Sequence, residues 1–146
     1  MPKWLYNQLR EGPKITFENH ISRDGRIIKQ EKVENETPGL VPVIAQLSEA
    51  DPSVREAWFC HPAAVHVGST RNEGGFCGYR NMQMLFSYVQ GARARGYQSF
   101  PGRTPGVLWL QDRIEEAWDK GIGAEGRIQT GGIKGTRKYI GTPEVS

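Results

Sequence analysis

A mainly helical α+β domain with one N-terminal β-hairpin is the fold class that this sequence of 146 residues predicts. Met82, Leu85, Phe86 and Val89 recur at i, i+3, i+4 and i+7, the stripe of a helix with one face inward. Val107, Leu110, Ile114, Ala117 and Trp118 repeat that spacing further along. Lys14-Ile15-Thr16-Phe17-Glu18, by contrast, alternates with the two-residue period of a strand.

In chain order, residues 2–10 read as a short helix with Trp4, Leu5 and Leu9 on one side, stopped by Gly12. The strand at 14–18 is answered across an Asp24-Gly25 turn by a returning arm at 26–30. Such a hairpin is marginal alone and must pack on something. Residues 31–39 are charged and end in Thr37-Pro38-Gly39, which reads as a linker. The chain therefore divides into a helix-plus-hairpin segment, 1–39, and a main unit, 40–146. Val41, Ile44 and Leu47, with Val43 beside them, predict a helix buried on one side. Asp51-Pro52-Ser53 has the chemistry of a helix start, with Asp capping free amides and Pro at the first helical position. It leads into Val54, Ala57, Trp58 and Phe59, the last two expected in the core. Residues 61–75 are small and polar and predict a loop; the helix with the strongest stripe is expected over 78–94. Pro101-Gly102 breaks the chain, Thr104 is expected to cap the next helix with Pro105 first in it, and Gly121 ends it. Six glycines between Gly123 and Gly141 then predict irregular structure.

Composition narrows the function classes. Only 37% of residues are apolar, and 18 glycines with 9 prolines mark a loop-rich chain, yet the aromatic share of 10% argues against disorder. No apolar stretch approaches the ~20 residues of a membrane span, and Met1-Pro2-Lys3-Trp4-Leu5 lacks the apolar run of a signal peptide. Two cysteines make no disulfide scaffold, so a reducing compartment, cytoplasm or nucleus, is expected. The net charge of +3 is spread among mixed acids and bases, with a basic run only at 127–138. A nucleic-acid footprint is a denser stripe with interleaved aromatics, so neither nucleic acid nor membrane is an expected partner. Asp112, Glu115, Glu116 and Asp119 lie mainly opposite the Val107–Ile114 stripe and read as a solvated face.

The residues with reactive potential sit at 72–81, Asn-Glu-Gly-Gly-Phe-Cys-Gly-Tyr-Arg-Asn, where Cys77 falls between a glycine-rich loop and a long helix. Unpaired amides and the partial positive charge of a helix N-terminus favour thiolate over thiol. Gly75 and Gly78 let a substrate backbone come close without meeting a Cβ, and with Phe76 they mark a narrow tail cleft. The amide of Cys77 itself is placed to donate to a developing oxyanion. A small buried cysteine at a helix start is the plainer reading of the same residue.

Three blocks, Trp58-Phe59-Cys60-His61-Pro62, the run 74–85 containing Gly-Gly-Phe-Cys-Gly-Tyr-Arg-Asn-Met-Gln-Met-Leu, and Gly135-Thr136-Arg137-Lys138-Tyr139-Ile140-Gly141, occur in order. Together they resemble the ubiquitin-fold-modifier-specific protease family of cysteine peptidases, nearest its zinc-finger-containing ZUFSP branch. Phe76 departs from the family's usual residue there; the cysteine and the residues after it are retained. The resemblance implies a papain-like fold of which 40–146 is the N-terminal half, with Cys77 the nucleophile and Tyr79 and Arg80 its supports. It also implies isopeptide hydrolysis after the C-terminal Gly-Gly of ubiquitin or a related modifier, with no cofactor.

The family's histidine, in a Gly-His-Ser type motif, and its Asp-Pro carboxylate belong downstream of the third block, whereas the last histidine here is His66. The chain alone is therefore expected to be a weak or inactive thiol-dependent isopeptidase, the alternative being a non-catalytic modifier-binding fragment or pseudoenzyme. His66, eleven residues before Cys77, is the upstream candidate for a substitute base. A loop histidine is the preferred reading, because a base must be shown geometrically. Cys60, His61, His66 and Cys77 lack the close-pair spacing of a zinc site, so no metal is expected.

Overall fold

The computed structural model describes residues 1–145 of the chain, without the side chains of Pro143 and Val145. It is a mixed helix-and-sheet structure with one two-stranded hairpin and one two-residue strand pair. Helix α1 spans Lys3–Glu11 and turns Leu5 and Leu9 inward, and Gly12 closes it at φ 75°. Strands β1 (Ile15–Ile21) and β2 (Ile27–Val33) pair antiparallel, from Ile15 opposite Val33 to Ile21 opposite Ile27. The turn between them is closed by Ser22 N–H donating to the Arg26 carbonyl at 2.9 Å. The hairpin does not pack as expected. Every residue of β1 is exposed, so its cross-strand ladder, not burial, holds it.

The 31–39 linker is partly structured, since β2 runs to Val33 and β3 (Glu36–Thr37) pairs with β4 (His66–Val67) inside the expected 61–75 loop. Helix α2 (Leu40–Ala50) forms, yet buries no residue; its apolar side lines an open groove against the following helix. The helix expected to start at Asp51 does not form. The Asp51 carboxylate accepts from the Ser53 amide at 2.9 Å and the Ser53 hydroxyl at 2.7 Å, closing a local turn in place of a helix cap. Trp58, expected in the core, is in consequence 87% exposed, and Phe59 is exposed as well.

Helix α3 (Cys77–Gly91) lies on the expected segment, and Met82 and Phe86 of its stripe pack against the core. Tyr79, Arg80 and Gln83 are buried while Leu85 of the apolar stripe is exposed, because a polar network, not the stripe, anchors the helix start. After a short 3-10 turn (Tyr97–Ser99), helix α4 (Val107–Asp119) buries Val107, Leu110, Ile114 and Trp118 as predicted. Its N-cap is Gly106, not Thr104. The Pro105 carbonyl is held extended by the Gln83 side-chain amide at 2.6 Å, which delays the first turn. The glycine-rich tail also carries regular structure, in α5 (Glu125–Thr130), closed by Gly131 at φ 66°, and α6 (Thr142–Val145).

Leu5, Leu9, Phe76, Tyr79, Val107, Leu110, Ile114, Trp118, Ile133 and Ile140 form one core. Glu115 and Asp119 are not merely solvated. Glu115 accepts from the Ile133 amide at 2.6 Å and from Arg127, and Asp119 pairs with Arg127 at 2.5 Å, so they pin the tail to α4. Burial alone would raise the Glu115 carboxyl; those donors win and hold it below the ordinary carboxylate range. No helix among the described residues is long and apolar enough to cross a membrane.

Candidate active site

The loop leading to Cys77 is fastened from below. Glu73 is 1% exposed, and its carboxylate accepts from the Thr70 amide at 2.8 Å, the Thr70 hydroxyl, and both Nε (2.9 Å) and Nη2 of Arg80. Burial pushes the Glu73 carboxyl up, but the Arg80 and Thr70 hydrogen bonds outweigh it and keep the group below its ordinary value. Arg80 donates on to Gln83 at 2.7 Å, which ties the loop through α3 to Pro105, two residues before α4. Gln8 of α1 donates to the Thr70 hydroxyl at 2.9 Å from the other side.

Above this base the chain makes a tight bend. Gly74 has φ 82°, and the Phe76 amide donates to the Gly74 carbonyl at 2.9 Å. Phe76 is fully buried, its ring 5.6 Å from that of Tyr79, so the bend is anchored in the core one residue before the sulfur emerges. Tyr79 is itself fully buried, and burial pushes its phenol up to about 12. Cys77 is exposed and opens α3. The first amides of a helix have no intrahelical acceptor. Among the described residues the amides of Cys77, Gly78 and Tyr79 find none elsewhere, whereas the Arg80 amide already donates to the Phe76 carbonyl at 3.0 Å.

The third sequence block lies against this bend. A Cβ at Gly78 would come within 2.7 Å of Ile140 Cγ1 and 2.8 Å of the Ile140 carbonyl, and one at Gly74 would collide with the Arg137 guanidinium. Gly75 faces the Tyr139 ring at ordinary contact distance. Tyr139 Oη is 2.8 Å from Cys77 Sγ. Through that hydrogen bond first, and the sulfur's charge second, Cys77 pushes the Tyr139 phenol above its ordinary value.

Of the residues singled out in the sequence, Cys77 and Gly75 lie at the surface of the bend, whereas Phe76, expected to line a tail cleft, is fully buried in the core and Gly78 is packed against Ile140. His66 sits on β4 and lines the groove between α2 and α3, about 710 Å³ in volume, along with Cys60 and His61. It makes no hydrogen bond to Cys77. His61 accepts from the Ala63 amide at 3.1 Å, and its ring lies 5.3 Å from that of Tyr88, tilted by 58°. Sequence reasoning misses Glu73 and Tyr139 as parts of the site. Tyr139 belongs to the third block, but its contact spans 62 residues and no local pattern announces it.

Cys77 thus presents an exposed thiol on the first residue of a helix whose first amides are unpartnered, above a buried ion pair, the setting that can favour a thiolate. The family described as Peptidase family C78 matches residues 53–146, and the chain belongs to that family. It is 30% identical over 111 residues to the Zinc finger-containing ubiquitin peptidase 1 of Macaca fascicularis and, over the same length, to that of Homo sapiens, each covering 75% of this chain and 19% of the relative. It is 38% identical over 76 residues to the Ubiquitin carboxyl-terminal hydrolase mug105 of Schizosaccharomyces pombe, covering 51% of this chain and 30% of the relative. The chain therefore spans about a fifth of the zinc-finger relatives and under a third of the yeast one.

Proposed function

We propose that this chain is the nucleophile-bearing part of a papain-like, thiol-dependent deubiquitinating isopeptidase, acting on ubiquitin or a ubiquitin-like modifier. The observation that carries the reading is Cys77, exposed at the mouth of α3 with the amides of Cys77 and Gly78 open beside it. Membership of the C78 family and the names of the relatives support the substrate class.

The sulfur attacks the carbonyl carbon of the modifier's last residue as the carbonyl π pair moves onto oxygen. The open amides donate to that oxyanion. Collapse expels the lysine amine, which takes up a proton, and leaves a thioester that water then hydrolyses. The proton transfers call for a base. Among the described residues no histidine bonds the sulfur, and the resemblance assigns that role to a motif beyond the Gly135–Gly141 block.

Loss of a triad base costs on the order of 10⁴–10⁶ in rate. The 146-residue chain by itself is therefore expected to cleave ubiquitin chains poorly or not at all, while a ubiquitin probe with a reactive carboxyl terminus labels Cys77. Binding of ubiquitin without labelling favours the non-catalytic reading. Neither binding nor labelling refutes both.

A further inference from the structure

We propose that Tyr139 is a positioning residue for Cys77, its phenol donating to the thiolate and fixing Sγ beside the open amides of α3. The proposal deepens the reading of Cys77 as a nucleophile and rests on it. Its first support is the distance: Oη lies 2.8 Å from Sγ, and Tyr139 is the group that hydrogen-bonds this sulfur among the described residues. The second is that the tyrosine is held in place although it is 61% exposed. Ile140, the next residue, is buried against Gly78, and Arg137, two residues before it, lies over Gly74. Between them, the Lys138 amide donates to the Thr136 hydroxyl at 3.2 Å and its ammonium to the Thr130 carbonyl. A side chain on so anchored a segment loses little freedom by staying at the sulfur.

The third support is the direction of the proton. Cys77 opposes ionisation of the Tyr139 phenol, so the hydroxyl keeps its hydrogen and remains the donor when the sulfur is anionic. A hydrogen bond to a charged acceptor is the stronger kind. As the carbon–sulfur bond forms, the charge passes from sulfur to the carbonyl oxygen and the phenol loses its anionic acceptor. Tyr139 therefore acts on the waiting nucleophile, by aiming it, and takes no proton in the step.

Cys60, the other exposed cysteine, provides an internal standard. The experiment alkylates the intact chain with iodoacetamide, in Tyr139→Phe, Tyr139→Ala and unaltered forms, and measures the Cys77-to-Cys60 labelling ratio by mass spectrometry across pH. Tyr139→Phe keeps the ring and removes the donor. The expected result is a ratio at neutral pH lowered by about 3- to 10-fold, the worth of one hydrogen bond. An unchanged ratio in Tyr139→Phe overturns the proposal. So does a ratio that rises in Tyr139→Ala alone, because the ring is then only a cover.

A second measurement does not depend on thiol chemistry. In a titration of tyrosinate absorbance, Cys77→Ala is expected to let one tyrosine ionise at lower pH than in the unaltered chain. Removing Tyr139 as well abolishes the difference, and no difference between the Cys77 forms refutes the contact. Failure of the ubiquitin probe with these shifts intact rejects the modifier reading and keeps this one. Equal probe labelling in Tyr139→Phe and the unaltered chain does the reverse.

Discussion

The base of the candidate site makes a quantitative prediction at Glu73. Its side chain is 0% exposed and that of Arg80 8%, so Glu73→Gln leaves a guanidinium buried without its counter-charge. Removing one partner of a buried pair costs about 3–5 kcal/mol, because the remaining charge is uncompensated. The glutamine amide also presents hydrogens where the Thr70 amide and hydroxyl and two Arg80 nitrogens all donate. At about 2–4 °C per kcal/mol for a chain of this length, the melting temperature falls by roughly 6–20 °C. Differential scanning calorimetry at pH 7 reads it directly. The pH dependence has a fixed sign. The folded-state carboxyl lies below its ordinary value, so its contribution is complete above the ordinary carboxylate range and is lost as pH falls through the depressed value. The gap between Glu73→Gln and the unaltered chain must therefore narrow on acidification. A Glu73→Gln protein within about 0.5 kcal/mol of the unaltered chain at pH 7, the range of an ordinary surface change, would falsify this account of the loop.

Two further substitutions probe the packing around the site. Gly78→Ala places a Cβ within 2.8 Å of the Ile140 carbonyl, a backbone atom that cannot swing aside, and is expected to cost about 1–3 kcal/mol in urea unfolding. A gain in stability there would mean that the third block does not pack on the nucleophile turn. Trp58→Ser removes a large side chain that is 87% exposed and is expected to change stability by no more than about 0.5 kcal/mol; a loss of several would restore Trp58 to the core.

What was legible in the sequence was local. Helix α4 follows its stripe because Val107, Leu110, Ile114 and Trp118 face one contiguous core, and the hairpin follows Asp24-Gly25 because turn chemistry sets its register. Asp51-Pro52-Ser53 misled because the same side-chain oxygen that caps a helix also closes a short turn, and nothing after Ser53 pulls the chain into a core. On α3 the apolar period marked only part of the buried face: Met82 and Phe86 pack against the core, but Arg80 and Gln83 are buried by satisfied hydrogen bonds that no hydrophobic pattern encodes. Cys77 could be found from its glycine-rich surroundings. Its neighbours Glu73 and Tyr139 could not, because one is defined by a buried charge pair and the other by a contact across the chain.

The two glycine-rich blocks explain each other. Gly74 and Gly78 lack side chains where Arg137 and Ile140 press on the bend, and Ile140 reaches the core only because Gly78 leaves it room. A glycine pattern first read as space for a substrate is thus partly space for the chain's own tail, with Gly75, beneath the Tyr139 ring, the glycine left in ordinary contact. The Glu73–Arg80 pair below the bend, Tyr139 at the sulfur and the unpartnered amides of α3 all lie within residues 73–140. On the proposed reading of Cys77, aiming the nucleophile and moving the proton are therefore separable tasks. A chain that turns over nothing can still hold a cysteine ready to react, and labelling and turnover have to be measured as independent quantities.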